Sequence, residues 1–351
     1  MNEWMVFHRA LRKFKVITHQ RFDESQYHHG EVNIIGLGVS SQINYGDLAI
    51  SEAQKCFVEK YFPGINYVEI LDFQALKSLK FLKQHIGSKD VIIIPGGGNV
   101  GNLYMYSENI RRKIIEAFPN NLVINFPQSY YFTNDTEGKD ELRSSKRVYE
   151  TNSQFVLTAR ESLSQEKMTE SFDIPVLFTP DIVLSMNQVT PRADRTGVLA
   201  VVRNDKEKVP FSDEVNKTIQ YLDSKYGVRY SDNNIPTPTV VLKNERNWIL
   251  QKRWDMFRKS KLVVTDRLHG MIFSVITGTP CLVINNANGK VKFSYLNWLK
   301  DQPSIIFSEG MISDEMNLRA DEIITKTFNG VNLDEQYAEI IERISHFIGR
   351  Q

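Results

Sequence analysis

An arginine, a histidine and a glycine close one apolar run and open the next. In Thr265-Asp266-Arg267-Leu268-His269-Gly270 the strand-like KLVVT ends and the helix-like MIFSVI begins. A helix start presents unpaired N–H groups and a partial positive charge, so anions bind there readily. A guanidinium and an imidazole added at that point make a site for phosphate or carboxylate. Histidine titrates at about 6.5 and so exchanges a proton near neutrality. The plainer use of the same residues is an ion pair between Arg267 and Asp266 or another local acid, with His269 capping the helix.

Thr158-Ala159-Arg160-Glu161 repeats the arrangement in the first half of the chain, an arginine at a strand end with a helical run behind it. Alone, Arg160 is a surface ion-pair partner. Set against Arg267 across a cleft, it completes a two-arginine clamp for a ligand carrying both phosphate and carboxylate.

The run PGGGNVGN, holding Gly97, Gly98 and Asn99, follows a strand. Its glycines let backbone approach a ligand and adopt positive φ, and successive N–H groups can form an anion nest. It is neither GxGxxG nor a Walker loop, and a tight strand-to-helix turn accounts for it as well. Asn44-Tyr45-Gly46-Asp47 lies just beyond the first strand. There Asp47 can accept hydrogen bonds from sugar hydroxyls or act as a base, or simply cap its helix. Asp181, in Thr179-Pro180-Asp181, divides between a cleft role and a turn, and Lys290 is a further anion contact near a helix start. His28 and His29 read as surface residues. With no HExxH and no Cys/His cluster, no bound metal and no cofactor are expected.

These residues need a scaffold, and the patterning supplies one. Val32–Val39, Val68–Leu71, Asp90–Pro95, Leu122–Pro127, Phe155–Ala159 and Val176–Phe178 are apolar runs separated by helical stretches near 47–62, 73–85, 108–118 and 162–170. Continuous apolar strands alternating with helices indicate a parallel sheet covered on both faces, with ligands at the strand C-terminal ends. A polar, Pro-containing stretch at 187–194 breaks the pattern. A second series follows: strands at 197–202, 261–265, 280–284 and 304–307, helices near 213–226, 247–259, 270–277, 291–299 and 335–348. The fold class is α/β, two Rossmann-like doubly wound domains facing a cleft. The boundaries are 1–190, on the acceptor side and contributing Arg160, and 191–351, on the donor side with Arg267 and His269. The last helix is a candidate to pack back on the first domain.

At 351 residues, 41% hydrophobic and 24% charged, the chain can bury a proper core. With a formal charge of +1, no global field points to nucleic acid or acidic membranes, so anion binding must come from local clusters. Two cysteines suit a reducing compartment, and no apolar run approaches the roughly 20 residues that cross a bilayer. With no secretory signal evident, a cytoplasmic location is expected, or the inner face of the membrane. The N-terminal segment mixes Trp4, Met5, Phe7, Leu11 and Phe14 with Arg9, Arg12, Lys13 and Lys15. It is an interfacial helix in peripheral contact with a membrane, or a helix whose apolar face packs on its own domain. Its short polar face favours the second.

In this order the pieces resemble the polysaccharide pyruvyl transferase family. NYGD at 44–47, PGGG at 95–98, TARES at 158–162, TPD at 179–181 and TDRLHGMIFSVITGTP at 265–280 carry the likeness, with Lys290 after the next strand. The matches span roughly 32–300, and neither terminus takes part. The resemblance implies a glycosyltransferase-B-like fold, phosphoenolpyruvate as donor and co-substrate, and as product a ketal-pyruvylated sugar in a polysaccharide or its lipid-linked precursor. It implies donor binding by Arg160, Arg267, Gly270 and Lys290, and catalysis by His269 with Arg267. Asn44, Asp47, Gly97, Gly98, Asn99 and Asp181 would then lie on the acceptor side of the cleft. Two alternatives share the scaffold: a sugar-nucleotide-dependent glycosyltransferase, and a non-catalytic binder of anionic glycans or phosphometabolites. Acceptor identity and oligomeric state are not readable from these residues.

Overall fold

The computed structural model describes residues 3–190, 194–203, 210–234, 239–285 and 289–349. Helix α1 (Glu3–Thr18) precedes a first sheet of β1 (Asn33–Val39), β2 (Asn66–Leu71), β3 (Val91–Ile94), β4 (Gly97–Gly101), β5 (Leu122–Tyr131), β6 (Phe155–Ala159) and β7 (Val176–Phe178). Between them run α2 (Tyr45–Tyr61), α3 (Asp72–His85), α4 (Met105–Ala117), α5 (Thr136–Tyr149) and α6 (Ser162–Ser171). The strand order is β2-β1-β3-β5-β6-β7, all parallel, with β4 also beside β5. Val91–Ile94 is buried throughout, as parallel strands covered by helices on both faces must be.

The glycine run is not a simple turn. β4 continues the line of β3 along β5 after a break at Pro95-Gly96, pairing Gly97 with Gln128 and Gly101 with Tyr131. A side chain on Gly96 would meet the Pro127 carbonyl at 2.7 Å, and Gly97 and Gly101 hold φ of 137° and 131°. Such close approach and positive φ leave little room for any residue but glycine. Beneath the run, Arg111 donates from Nε to Asn125 Oδ1 at 2.6 Å and also bonds Glu108 and Asn99. Gln128 Nε2 donates to Asn99 Oδ1 at 2.9 Å, and its Oε1 accepts from the Asn99 N–H at 3.0 Å. The strand is therefore held rigidly from below.

The second sheet uses β8 (Val198–Val201), β9 (Val228–Ser231), β10 (Leu262–Thr265), β11 (Cys281–Val283) and β12 (Ile305–Phe307), in the parallel order β12-β11-β10-β8-β9. Its helices are α7 (Asp213–Tyr226), α8 (Lys243–Arg258), α9 (Leu268–Ile276), α10 (Lys290–Ser294, running on as a π turn to Leu299) and α11 (Ser313–Ile324). Part of the polar stretch at 187–194 lies outside the described residues. Strand β9 and helices α5 and α11 did not stand out in the sequence. Their amphipathic or half-exposed patterns lack the continuous apolar run that marks the central strands.

The two domains are pinned together. Arg246 of α8 donates to Glu52 and, bidentately, to Glu69 of the first domain, each bond 2.8 Å and buried. The Tyr45 N–H donates to Asn233 O at 2.9 Å, and Trp298 Nε1 donates to Arg160 O at 2.8 Å. Helix α12 (Ala338–Ile348) lies back on the first domain: Tyr337, just before it, packs edge-on against Phe57 and donates to Asp181 O at 2.8 Å. Helix α1 is tied by Lys15 to Glu245 at 2.7 Å, yet Phe7, Phe14 and Ile17 remain exposed. The segment thus does not bury all of its apolar side chains on its own domain.

Candidate active site

The strand C-terminal ends of the two sheets face each other across a cavity of about 950 Å³. Arg160, Arg203 and Arg267 reach it from immediately beyond β6, β8 and β10, each following an apolar strand. Among its described lining residues are six Arg or Lys (Arg12, Arg111, Arg160, Arg203, Arg267, Lys290) against Asp47, Asp72 and Asp266. A chain of almost no net charge has set six cations against three carboxylates at one place, in a concave, partly desolvated site where charge counts for more.

Arg160 is buried. Its Nε donates to Ser129 Oγ and its Nη1 to Asp181 Oδ2, both at 2.8 Å. The same Asp181 oxygen lies 3.5 Å from His269 Nε2, and Oδ1 accepts the Val183 N–H at 3.0 Å. Burial works to raise the Asp181 carboxyl, but the neighbouring His269 and Arg160 charges and the backbone donor outweigh it and hold the group well below the usual carboxylate range. Asp181 thus links an arginine of one domain to a histidine of the other. His269, in the first turn of α9, stands against Gly46 of α2: a Cβ there would lie 2.4 Å from Nδ1. Gly46, within a motif read for its Asn and Asp, is bare because the imidazole occupies its side-chain space.

Arg267 is paired, with Asp232 rather than with Asp266. It donates from Nε to Oδ1 at 3.0 Å and from Nη2 to Oδ2 at 2.9 Å, a two-point match of guanidinium to carboxylate. Asp266 instead accepts the Arg203 N–H at 2.9 Å.

Gly98 marks where cations from the two domains meet. A Cβ on it would lie 3.1 Å from Arg160 Nη2 and 3.4 Å from Lys290 Nζ. Burial first, then the charge of Arg160, pushes the Lys290 ammonium down to about 8. Asp47 goes the other way: desolvation, helped by Asp181 and Asp72 and opposed by His269 and Arg160, raises its carboxyl. Asn44, not Asp47, caps α2, its Oδ1 accepting the Gly46 N–H at 2.8 Å.

Of the residues singled out from sequence, Asn44, Asp47, Gly97, Gly98, Asn99, Arg160, Arg267, His269 and Lys290 line the cavity. Two stand behind its wall. Asp181 is covered by the very side chains it bonds, so it meets them and not an acceptor. Gly270 faces inward, where a Cβ would sit 2.1 Å from Thr265 Oγ1; it lets α9 pack on its strand. Arg203 and the Asn233-Asn234 pair went unremarked. Arg203 was findable, since it shares with Arg160 and Arg267 the arginine-after-strand position; the asparagines are carried in by a loop with no apolar pattern. Among the described residues, no group of three or more His, Cys, Asp or Glu could hold a metal ion, and no helix is long and apolar enough to cross a membrane.

Comparison with known proteins bears on this site. The sequence profile described as "Polysaccharide pyruvyl transferase" matches residues 44–288, which contain every cavity residue discussed above except Arg12 and Lys290. General stress protein 30 of Bacillus subtilis is 35% identical over 305 residues, covering 87% of this chain and 89% of that protein. Pyruvyl transferase 1 of Schizosaccharomyces pombe is 25% identical over 291 residues, 78% of this chain and 71% of that one. A functionally uncharacterised Klebsiella pneumoniae protein of known crystal structure superposes with a TM-score of 0.50 at 17% identity, covering 88% of this chain and all of that one, a likeness of fold alone.

Proposed function

This chain belongs to the polysaccharide pyruvyl transferase family, and from that premise we propose that it is a transferase converting two hydroxyls of a saccharide into a pyruvate ketal at the expense of phosphoenolpyruvate. The observation that carries the reading is the meeting of Arg160 and Lys290, one from each domain, over the bare backbone of Gly98, with His269 joined to the same arginine through Asp181. Phosphoenolpyruvate is a small, highly anionic enol phosphate, and such a pocket suits its phosphate. Arg267 suits its carboxylate, exchanging the Asp232 carboxylate for that of the ligand in the same two-point geometry.

The chemistry balances with these groups. A proton added to the methylene carbon makes a methyl group and leaves an oxocarbenium-like carbon beside the carboxylate. One sugar hydroxyl adds there and loses its proton. The carbon–oxygen bond to phosphate then breaks, and the second hydroxyl closes the ketal. Of the two hydroxyl protons released, one replaces that given to the methylene and the other leaves on phosphate. His269 is the proton carrier, and general acid–base catalysis of this kind contributes about 10²–10⁴-fold. Arg160 and Lys290 stabilise charge growing on the departing phosphate. Asp47, its carboxyl raised, faces the acceptor hydroxyls together with Asn44 and Asn99.

Phosphate release from phosphoenolpyruvate, measured against a panel of hexose and hexosamine acceptors free and lipid-linked, tests the proposal. The expected product carries a pyruvate ketal by mass spectrometry. Calorimetric binding of a nucleotide sugar with no response to phosphoenolpyruvate would sink it.

A further inference from the structure

We propose that α1 is a membrane-docking helix whose outer face seats the protein on an anionic lipid surface, with the cavity opening beside it. Helical spacing puts residues 7, 10, 14 and 17 on one face, and Phe7, Phe14 and Ile17 there are 64%, 64% and 65% exposed. The opposite face of the same helix is fixed: Arg12 and Val16 line the catalytic cavity, and Lys15 is bonded to Glu245 and to the Val240 carbonyl. Below α1, Gln74 Nε2 of α3 donates to His19 O at 2.7 Å. The apolar stripe is therefore held outward by three anchors. A helix with one face committed to the active site presents the other to something apolar.

Charge chooses the occupant. The sequence of α1 carries Arg9, Arg12, Lys13 and Lys15 against the single acid Glu3. Exposed Lys77 and Lys80 lie on α3, with Lys77 Nζ reaching Gln20 just past the end of α1. A second copy docking through this stripe would set like charges against like. Anionic headgroups are attracted to exposed Lys13, Lys77 and Lys80, while the aromatic and aliphatic side chains enter the acyl boundary. The cavity rim adds exposed Leu103, Tyr104 and Tyr106, of the amphipathic kind that sits at headgroup level. The use of such docking, delivery of a lipid-linked acceptor to His269, rests on the reading above; the docking itself does not.

Co-sedimentation of the full chain with vesicles of phosphatidylglycerol and phosphatidylcholine, and of phosphatidylcholine alone, tests this. Binding to the anionic vesicles, weakened by salt, is expected. The double variant Phe14→Gln/Ile17→Gln should bind at least tenfold more weakly, and Phe14→Leu/Ile17→Leu should bind as the parent does. Neither position lines the cavity, so pyruvyl transfer to a water-soluble acceptor should be equal in all three. No vesicle binding by the parent, or binding untouched by the glutamine pair, overturns the proposal. So does a parent dimer that the glutamine pair converts to monomer without any lipid binding. A parent that binds vesicles but releases no phosphate with any acceptor overturns the transferase reading and leaves the docking standing.

Discussion

Arg160 and Arg267 occupy similar places, one and two residues past an apolar strand with a helix behind, and the fold treats them oppositely. Arg160 is enclosed: Ser129 and Asp181 take its donors, its own N–H donates to Gln128 O, and Trp298 caps its carbonyl. Arg267 holds a carboxylate that keeps contact with solvent, Asp232 being 24% exposed against 3% for Asp181. A buried partner cannot be released without stranding a charge, whereas a partly exposed one regains water when an anion takes its place. One arginine is thus a permanent part of the wall, and the other is exchangeable. Similar placement after a strand does not decide which; the depth of the counter-ion does.

His269 sets the scale for the comparison, because it touches the partner of the permanent arginine and follows the exchangeable one by two residues. His269→Ala should lower turnover by about 10²–10⁴-fold with phosphoenolpyruvate affinity little changed. Steady-state kinetics beside direct calorimetry checks it, and an equal loss of donor affinity would break the division of roles. Next in size is the stability contrast. Arg160→Ala strands Asp181 and should cost about 3–5 kcal/mol, whereas Arg267→Ala should cost about 0–1 kcal/mol while weakening donor binding strongly. Urea unfolding of both variants decides the matter; equal losses would erase the distinction between a permanent and an exchangeable arginine.

Asp181 carries the third test. Its carboxyl is held low in the folded chain, so the stability it contributes is present above about pH 4, the unfolded value, and is lost as pH falls below that. Asp181→Asn should flatten this acid slope. It should also lower turnover more than donor affinity, because the imidazole loses the carboxylate that faces it. An unchanged slope would mean that the link between Arg160 and His269 is not electrostatic.

Much of this site was legible in the sequence for a physical reason. Buried parallel strands must be continuous apolar runs, so their C-terminal ends can be located, and charged residues at those ends have nowhere to go but the cleft. That logic reaches Arg160, Arg267, His269 and Lys290. It fails wherever function depends on what is absent or hidden. Gly46 is bare to admit an imidazole from the other domain, and Gly98 to admit two cations; neither need leaves a local trace. Asp181 looked like a cleft residue because its burial comes from Tyr337, 156 residues away, and from side chains of both domains. For α1 the spacing offers a packed face or an interfacial one, because it reveals a face but not what lies against it.

Lys290 gives the smallest effect and the most discriminating sign. Burial and Arg160 hold its ammonium down to about 8, while an unfolded lysine titrates near 10.4. Between those values the unfolded chain binds more protons, so stability should rise as pH climbs from about 8 to 10. Donor affinity should move the other way, because the charge that meets phosphate beside Gly98 disappears over the same range. Lys290→Met should remove both slopes and weaken phosphoenolpyruvate binding roughly tenfold at neutral pH, about 1.4 kcal/mol. Calorimetric titrations and urea melts across that interval measure the two directly. Affinity that stays flat through pH 8 in the parent would place Lys290 among the structural cations and leave the phosphate to Arg160 alone.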